Sequence, residues 1–107
     1  MLTRIYTEDK NREAVIEIVA HHFDGATFFS GVGMYKGAVE KSLVIEVAHG
    51  GDKALALEEM IEEIRVFNGQ ESMLVAAFPC NVGLSFSKGG FTEIGETTAV
   101  KDLLLAD

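Results

Sequence analysis

The sequence contains no tryptophan, a single proline, a single cysteine and only nine basic residues among its 107. Because one cysteine, Cys80, cannot form a disulfide within the chain, nothing predicts the disulfide-rich class of small secreted proteins. No apolar run approaches the roughly 18 residues of a membrane span, and residues 1–6 lack the apolar core of a signal peptide. We therefore expect a cytoplasmic protein with no membrane segment.

Acidic residues outnumber the basic ones by 17 to 9, which gives a formal net charge of −8. Direct binding to nucleic acid needs clustered lysine and arginine to neutralise phosphates, so this charge argues against it. An acidic surface can instead keep the protein soluble, bind a basic protein, or imitate the charge of a nucleic acid. We keep a protein partner among the expectations.

Apolar residues make up 48% of the chain, enough for the core of one small domain. Alternating and helical spacings predict strands over residues 2–7, 26–35, 42–48 and 72–78. They also predict one helix that starts within residues 8–13 and reaches residue 23, and another over residues 53–68. Thr7 or Asp9 is the predicted N-cap of the first helix, and Asp52 that of the second. Gly25 and Gly69 are expected to end the helices in the left-handed conformation.

This order of elements predicts an α+β fold, a ferredoxin-like β-α-β-β-α-β sandwich with a four-stranded antiparallel sheet and two helices on one face. Residues 1–80 form the predicted core. Residues 81–107 form a C-terminal extension, with a hairpin around residues 88–90 and then a short helix or frayed end over residues 99–106. Two helices cover only one face of the sheet, so self-association would cover the other. The residues assigned to that other face are Phe29, Tyr35, Val44, Leu74 and Phe78.

Two segments could contact a ligand. The connection between the middle strands, residues 35–42, carries an aromatic ring and two lysines, although a plain hairpin loop is the simpler explanation. The candidate ligand residues of this segment are Tyr35, Lys36 and Lys41. The second segment follows the third strand and opens a helix whose free amides could receive an anion, although an ordinary turn with a cap explains it too. Its residues are His49, Gly50 and Gly51.

Residues with catalytic or metal-binding chemistry are few. His21 and His22 are adjacent on a helix, where their side chains diverge by about 100°, and no spacing of cysteines or histidines typical of a metal site is present. Cys80 has no base that the sequence identifies. The second helix carries glutamates at helical spacing that are predicted to form a solvated face, namely Glu58, Glu59, Glu62 and Glu63. We predict no catalytic residue, no metal and no cofactor.

Four segments carry a resemblance: residues 4–13 (RIYTEDKNRE), 23–27 (FDGAT), 33–37 (GMYKG) and 40–46 (EKSLVIE). Together they resemble a family of small uncharacterised bacterial and phage proteins with a ferredoxin-like fold, over roughly residues 1–80. Residues 25–27 (GAT) and 44–47 (VIEV) are also similar to PII-like and CutA-like proteins. That similarity implies a trimer with ligands between subunits. The long PII loop and the basic phosphate-binding residues of the later strand are absent from this sequence.

The sequence supports three functional hypotheses. The leading one is a non-enzymatic PII-like or ferredoxin-like protein that binds a partner or small ligand and assembles as a homo-oligomer, a trimer or dimer, through the sheet face. The second is an acidic inhibitor of phage type, directed at a host defence or nucleic-acid-binding protein. The third is a small enzyme that uses His21, His22, His49 or Cys80.

Overall fold

A computed structural model describes residues 1–85 and 89–94 of the chain. Its strands are β1 (Leu2–Glu8), β2 (Thr27–Tyr35), β3 (Ala38–Ala48), β4 (Leu74–Phe78), β5 (Val82–Ser85) and β6 (Phe91–Ile94). Its helices are α1 (Arg12–His22) and α2 (Ala54–Phe67), and a 3-10 turn at Gly51–Lys53 precedes α2.

The first four strands form one antiparallel sheet in the order β2-β3-β1-β4. Ile5 of β1 pairs with Ile45 of β3 on one side and Val75 of β4 on the other, and Ile45 also pairs with Phe28 of β2. Two helices pack on one face of this sheet. The arrangement is the predicted ferredoxin-like β-α-β-β-α-β sandwich, so the fold prediction is confirmed.

The core lies between the helices and the sheet. Every second residue of β1 and of the second half of β3 is buried, as the period of a strand requires. The helices contribute residues at helical spacing to the same core. The buried apolar residues are Ile5, Leu43, Ile45 and Val47 from the strands and Val15, Ile18, Val19, Leu57, Met60 and Ile64 from the helices. Burying each such side chain stabilises the fold by roughly 1.5–3 kcal/mol.

α2 ends as the sequence predicts. Gly69 follows the helix with φ 64°, in the left-handed region that glycine adopts at little cost. Its amide donates to the carbonyl of Val66, and the next amide, of Gln70, donates to the carbonyl of Arg65. These two hydrogen bonds form a Schellman motif, which satisfies carbonyls that the end of the helix would leave unpaired.

α1 ends differently, and the prediction for Gly25 is wrong. Phe23 follows α1 in an extended conformation, with φ −139°, and packs against the core. The chain has therefore left the helix before it reaches Gly25, whose φ is not positive. α1 therefore ends because the Phe23 side chain packs against the core, and not because of a left-handed glycine at position 25.

The predicted N-caps are also wrong. Asn11, with φ 56°, precedes α1, and Asp52 lies inside the 3-10 turn before α2; neither helix has a side-chain cap. Thr7 is buried in β1. Asp9 accepts two hydrogen bonds from the Arg12 guanidinium, which holds the pKa of the Asp9 carboxyl below its usual range.

β2 and β3 form a longer hairpin than the sequence predicts. Lys36 and Gly37 make a two-residue turn with φ 51° and 81°, both positive as a type I′ turn requires. β3 starts at Ala38, because the pairing of Met34 with Val39 continues the ladder beyond the end of β1. The predicted six-residue connection is therefore wrong, and the hairpin extends past β1.

β5 and β6 form a separate two-stranded sheet, with Val82 paired to Ile94 and Ser85 paired to Phe91. The hairpin predicted in the C-terminal extension is confirmed. The helix or frayed end predicted over residues 99–106 lies outside the described residues. Among the helices that are described, none has the length and apolar character needed to span a membrane.

Candidate functional site

The face of the sheet turned away from the helices carries several large apolar side chains. Strand register places Phe29, Tyr35, Leu74 and Phe78 on this face, where all four are exposed. Val44 shares the face and is half-buried. These are the residues that the sequence assigns to the uncovered side, so their placement is confirmed. We call this surface the open face.

The charges at the centre of the open face are paired. The Arg4 Nε atom donates to Glu46 Oε2 at 2.7 Å, and this hydrogen bond raises the pKa of Arg4. The Arg4 guanidinium also lies 5.5 Å from the centroid of the Phe78 ring, within cation–π range. At the end of β1, Glu8 forms an ion pair with Lys10 at 3.0 Å. The middle of this face is therefore close to neutral.

Two glycines of β2, Gly31 and Gly33, also lie on the open face, and the fold of a single chain explains neither. Neither has a positive φ. A Cβ at Gly31 would meet no atom within 4 Å, and one at Gly33 would make an ordinary contact of 3.6 Å with Ser42. Glycine weakens a strand by roughly 0.5–1 kcal/mol relative to alanine. Such glycines are typical of positions where another chain or a ligand approaches the backbone closely.

An open groove of about 760 Å³ lies between the β2–β3 hairpin and the loop that joins α2 to β4. Tyr6 and Tyr35 supply aromatic rings, and Glu8, Glu40 and Glu71 supply carboxylates. The complete lining is residues 6–8, 31–35, 40, 42, 44 and 69–74. This volume is typical of small-molecule sites. Its carboxylates favour a neutral or cationic ligand over a phosphate.

A network of polar side chains fixes one wall of the groove. Asn68 Nδ2 donates to Thr7 Oγ1 at 3.0 Å, and the Thr7 hydroxyl donates to Gln70 Oε1. Gln70 Oε1 also accepts from the Glu8 amide at 3.3 Å, and Asn11 Nδ2 donates to Asn68 Oδ1 at 3.4 Å. Thr7 and Asn68 are buried. An unpaired group there would cost about 1–3 kcal/mol, so the network holds the groove loop against β1.

Sequence reasoning missed Tyr6, Asn68 and Gln70. Tyr6 is an ordinary strand residue by its spacing, and only its register beside Val44 and Leu74 places it in the groove. Asn68 and Gln70 flank the glycine that ends α2 and look like common helix-end residues. The one available signal is the position of Asn68, four residues after the buried Ile64 and therefore on the apolar face of α2.

The predicted ligand residues lie at the two ends of β3. Tyr35 lines the groove, and Lys36 Nζ lies 5.3 Å from the centroid of its ring. Lys41 pairs with Val32, on the face of the hairpin opposite to Tyr35. The other three predicted ligand residues, His49, Gly50 and Gly51, follow the opposite end of β3. This strand has 11 residues, so they lie about 35 Å from Tyr35 and Lys36. The structure therefore joins Tyr35 with Lys36 and separates them from His49.

Both ring nitrogens of His49 are engaged within the fold. His49 is buried, and its Nδ1 lies 2.9 Å from the Gly50 carbonyl, to which it donates. Its Nε2 lies 2.7 Å from the Thr3 Oγ1 atom, within hydrogen-bond distance. The Phe23 ring packs beside it, with a centroid distance of 6.4 Å. His49 thus links β1, β3 and the segment after α1.

The other residues of the enzyme hypothesis lie apart from the groove. His22 Nε2 lies 3.0 Å from Glu63 Oε2 and so connects α1 with α2, while His21 and Cys80 are exposed. None of them lines the groove. Within residues 1–85 and 89–94, no three His, Cys, Asp or Glu side chains form a group that could hold a metal ion.

Comparison with protein-family models and with curated proteins finds no match to this chain.

Proposed function

We propose that the chain is a homo-oligomeric binding protein. In this proposal it assembles as a dimer or trimer through the open face, takes a small ligand in the groove and catalyses no reaction. The observation that carries the proposal is the exposure of four large side chains on one surface, namely Phe29, Tyr35, Leu74 and Phe78. Exposed apolar patches of this kind mark interaction sites, and covering them would supply the free energy of association.

A second copy of the chain is the occupant that charge favours. Each copy has a formal net charge of −8, so two copies repel each other over most of their surfaces. The open face is an exception, because Arg4 and Glu46 at its centre already form an ion pair. The centres of two open faces can therefore meet with little repulsion, whereas Glu40 and Glu71 in the groove have no ion-pair partner among the described residues. Gly31 and Gly33 leave room for a side chain of the partner to approach the sheet closely.

The groove is the proposed site for the small ligand. It lies partly on the open face, because Tyr35, Val44 and Leu74 belong to both, so a neighbouring subunit would close it and remove water from it. Tyr6 and Tyr35 suit a flat or cationic group, which can stack on an aromatic ring. Glu8, Glu40 and Glu71 add negative charge, so the ligand class is a small neutral or cationic molecule rather than a nucleotide.

Light scattering on the full chain after size exclusion tests the assembly. We expect a molar mass two or three times the 11.6 kDa of one chain at micromolar concentration. A Leu74→Glu variant should behave as a monomer, because the new charge would be buried against the partner. The matched control is Val39→Glu: Val39 is 71% exposed against 67% for Leu74, but lies on the opposite face of the sheet.

Val39→Glu should keep the oligomeric mass. A wild-type mass of 11.6 kDa would contradict the proposal. Equal dissociation by the two variants would show that the open face is not the contact surface.

A further inference from the structure

The outer side of α2 carries apolar side chains that the core does not use. Leu55 and Val66 are 68% and 63% exposed and lie opposite to the buried residues of the helix. Phe67 beside Val66 is also exposed. Seven residues, all from α2, line this open and nearly flat side. We call its lining, Leu55, Val66, Phe67 and the four glutamates between them, the α2 stripe.

The glutamates of the α2 stripe give it an acidic centre between apolar ends. Arg65 pairs with Glu62 at 2.6 Å and lowers the pKa of that carboxyl, and His22 lies 3.0 Å from Glu63. For Glu58 and Glu59, no ion-pair partner exists in the part of the chain that the structure describes. Two carboxylates therefore face solvent beside exposed apolar groups.

We infer that the α2 stripe binds a basic amphipathic helical segment of another protein. Leu55 and Val66 are about 17 Å apart along the helix axis, at 1.5 Å per residue. A partner helix of similar length can place apolar side chains at both ends and lysine or arginine at the centre. Charge complementarity selects this partner.

The same charges exclude other occupants of the α2 stripe. A second copy would bring glutamates against glutamates, and nucleic acid or an anionic membrane would bring phosphates against them. The α2 stripe lies on the opposite side of the subunit from the open face, so this binding is independent of the proposed oligomer. It also gives the acidic-inhibitor hypothesis a specific surface and a specific partner chemistry.

Fluorescence anisotropy with a synthetic peptide tests the inference. The probe is a labelled helical peptide of about 15 residues, with leucine every third or fourth position and lysine elsewhere, titrated with the full chain. We expect binding that a Leu55→Ser/Val66→Ser variant weakens about tenfold, because both apolar contacts are lost. A Glu58→Gln/Glu59→Gln variant should weaken it about fivefold.

The matched control is Glu13→Gln/Glu17→Gln, which removes the same two charges from exposed positions on α1. Its affinity should stay within about twofold of the wild type, since it leaves the contact unchanged. Equal weakening by the α1 and α2 glutamine variants would overturn the inference, because only net charge would then matter. The inference would also be overturned if a peptide of the same composition without an apolar face bound as tightly as the amphipathic peptide. It would be overturned, too, if the amphipathic peptide did not bind the wild-type chain.

Light scattering on the same variants separates this inference from the proposed function. All three variants should keep the wild-type molar mass, since none alters the open face. If the α2 variants lose affinity for the peptide but keep the wild-type molar mass, the result supports the α2 stripe as a binding site and leaves the proposed oligomer unaffected.

Discussion

Gly69 sets the end of α2 at the scale of a single residue. Its φ of 64° is unfavourable for residues with a Cβ, yet a Cβ there would meet no atom within 4 Å. Gly25 after α1 has the same open surroundings, but its φ is not positive. Substitution of the two glycines by alanine can therefore distinguish the cost of a left-handed backbone, which only Gly69 has, from the cost of a steric clash, which neither position has.

Gly69→Ala should lower the free energy of unfolding by about 1–2 kcal/mol, because alanine in the left-handed region is strained. Gly25→Ala should leave it unchanged or raise it by up to about 1 kcal/mol, since alanine restricts the unfolded chain. Urea denaturation of both variants and the wild type measures the difference. Equal destabilisation by both would contradict the conformations assigned to these glycines.

Single residues also show how far the sequence predicts local structure. The position of Gly69 follows from a helical pattern that stops there, whereas the role assigned to Gly25 fails because Phe23 packs into the core first. Asp9 and Asp52 have the right chemistry for helix caps, but Asp9 binds Arg12 and Asp52 lies inside a 3-10 turn. Local residue types identify candidates, and tertiary packing selects among them.

At the scale of elements, Asn68 joins parts of the fold that are distant in sequence. Its amide group donates to Thr7 in β1 and accepts from Asn11 at the start of α1. Thr7 is bonded in turn to Gln70, in the loop that forms a wall of the groove. The shape of the groove therefore depends on one buried amide.

Asn68→Ala should reduce the free energy of unfolding by about 1–3 kcal/mol, since it leaves the buried Thr7 hydroxyl without its donor. Asn11→Gly is the control, because it removes only the weaker 3.4 Å contact and glycine tolerates the φ of 56° at that position. Its effect should stay below about 0.5 kcal/mol. Thermal unfolding of the two variants checks this order, and a reversed order would contradict the role of the network.

The sequence predicts the strands and helices better than the turns and loops that connect them. The strands and helices follow from periods of two and about 3.6 residues, which burial on one side imposes. The hairpin extension was missed because Lys36-Gly37 lacks the Asn-Gly signature of a type I′ turn. The groove was beyond prediction because its lining combines segments around residues 6, 33, 42 and 71, which only strand register brings together.

At the scale of the whole molecule, the sequence provides the net charge but not its distribution. The structure pairs the charges at the centre of the open face and leaves Glu58 and Glu59 unpaired on the opposite side, among the residues it describes. We therefore propose different partners for the two sides of the chain: a second copy at the sheet and a basic segment at α2.

Hydroxyl-radical footprinting of the intact protein tests the central claim, that a second copy covers the open face. Oxidation of Phe29, Leu74 and Phe78 is compared at high concentration and after dilution, with Leu55 and Val66 as internal references. We predict that the open-face residues are protected at high concentration and react on dilution, while the references react equally at both. Unchanged reactivity of the open face at every concentration would contradict the account.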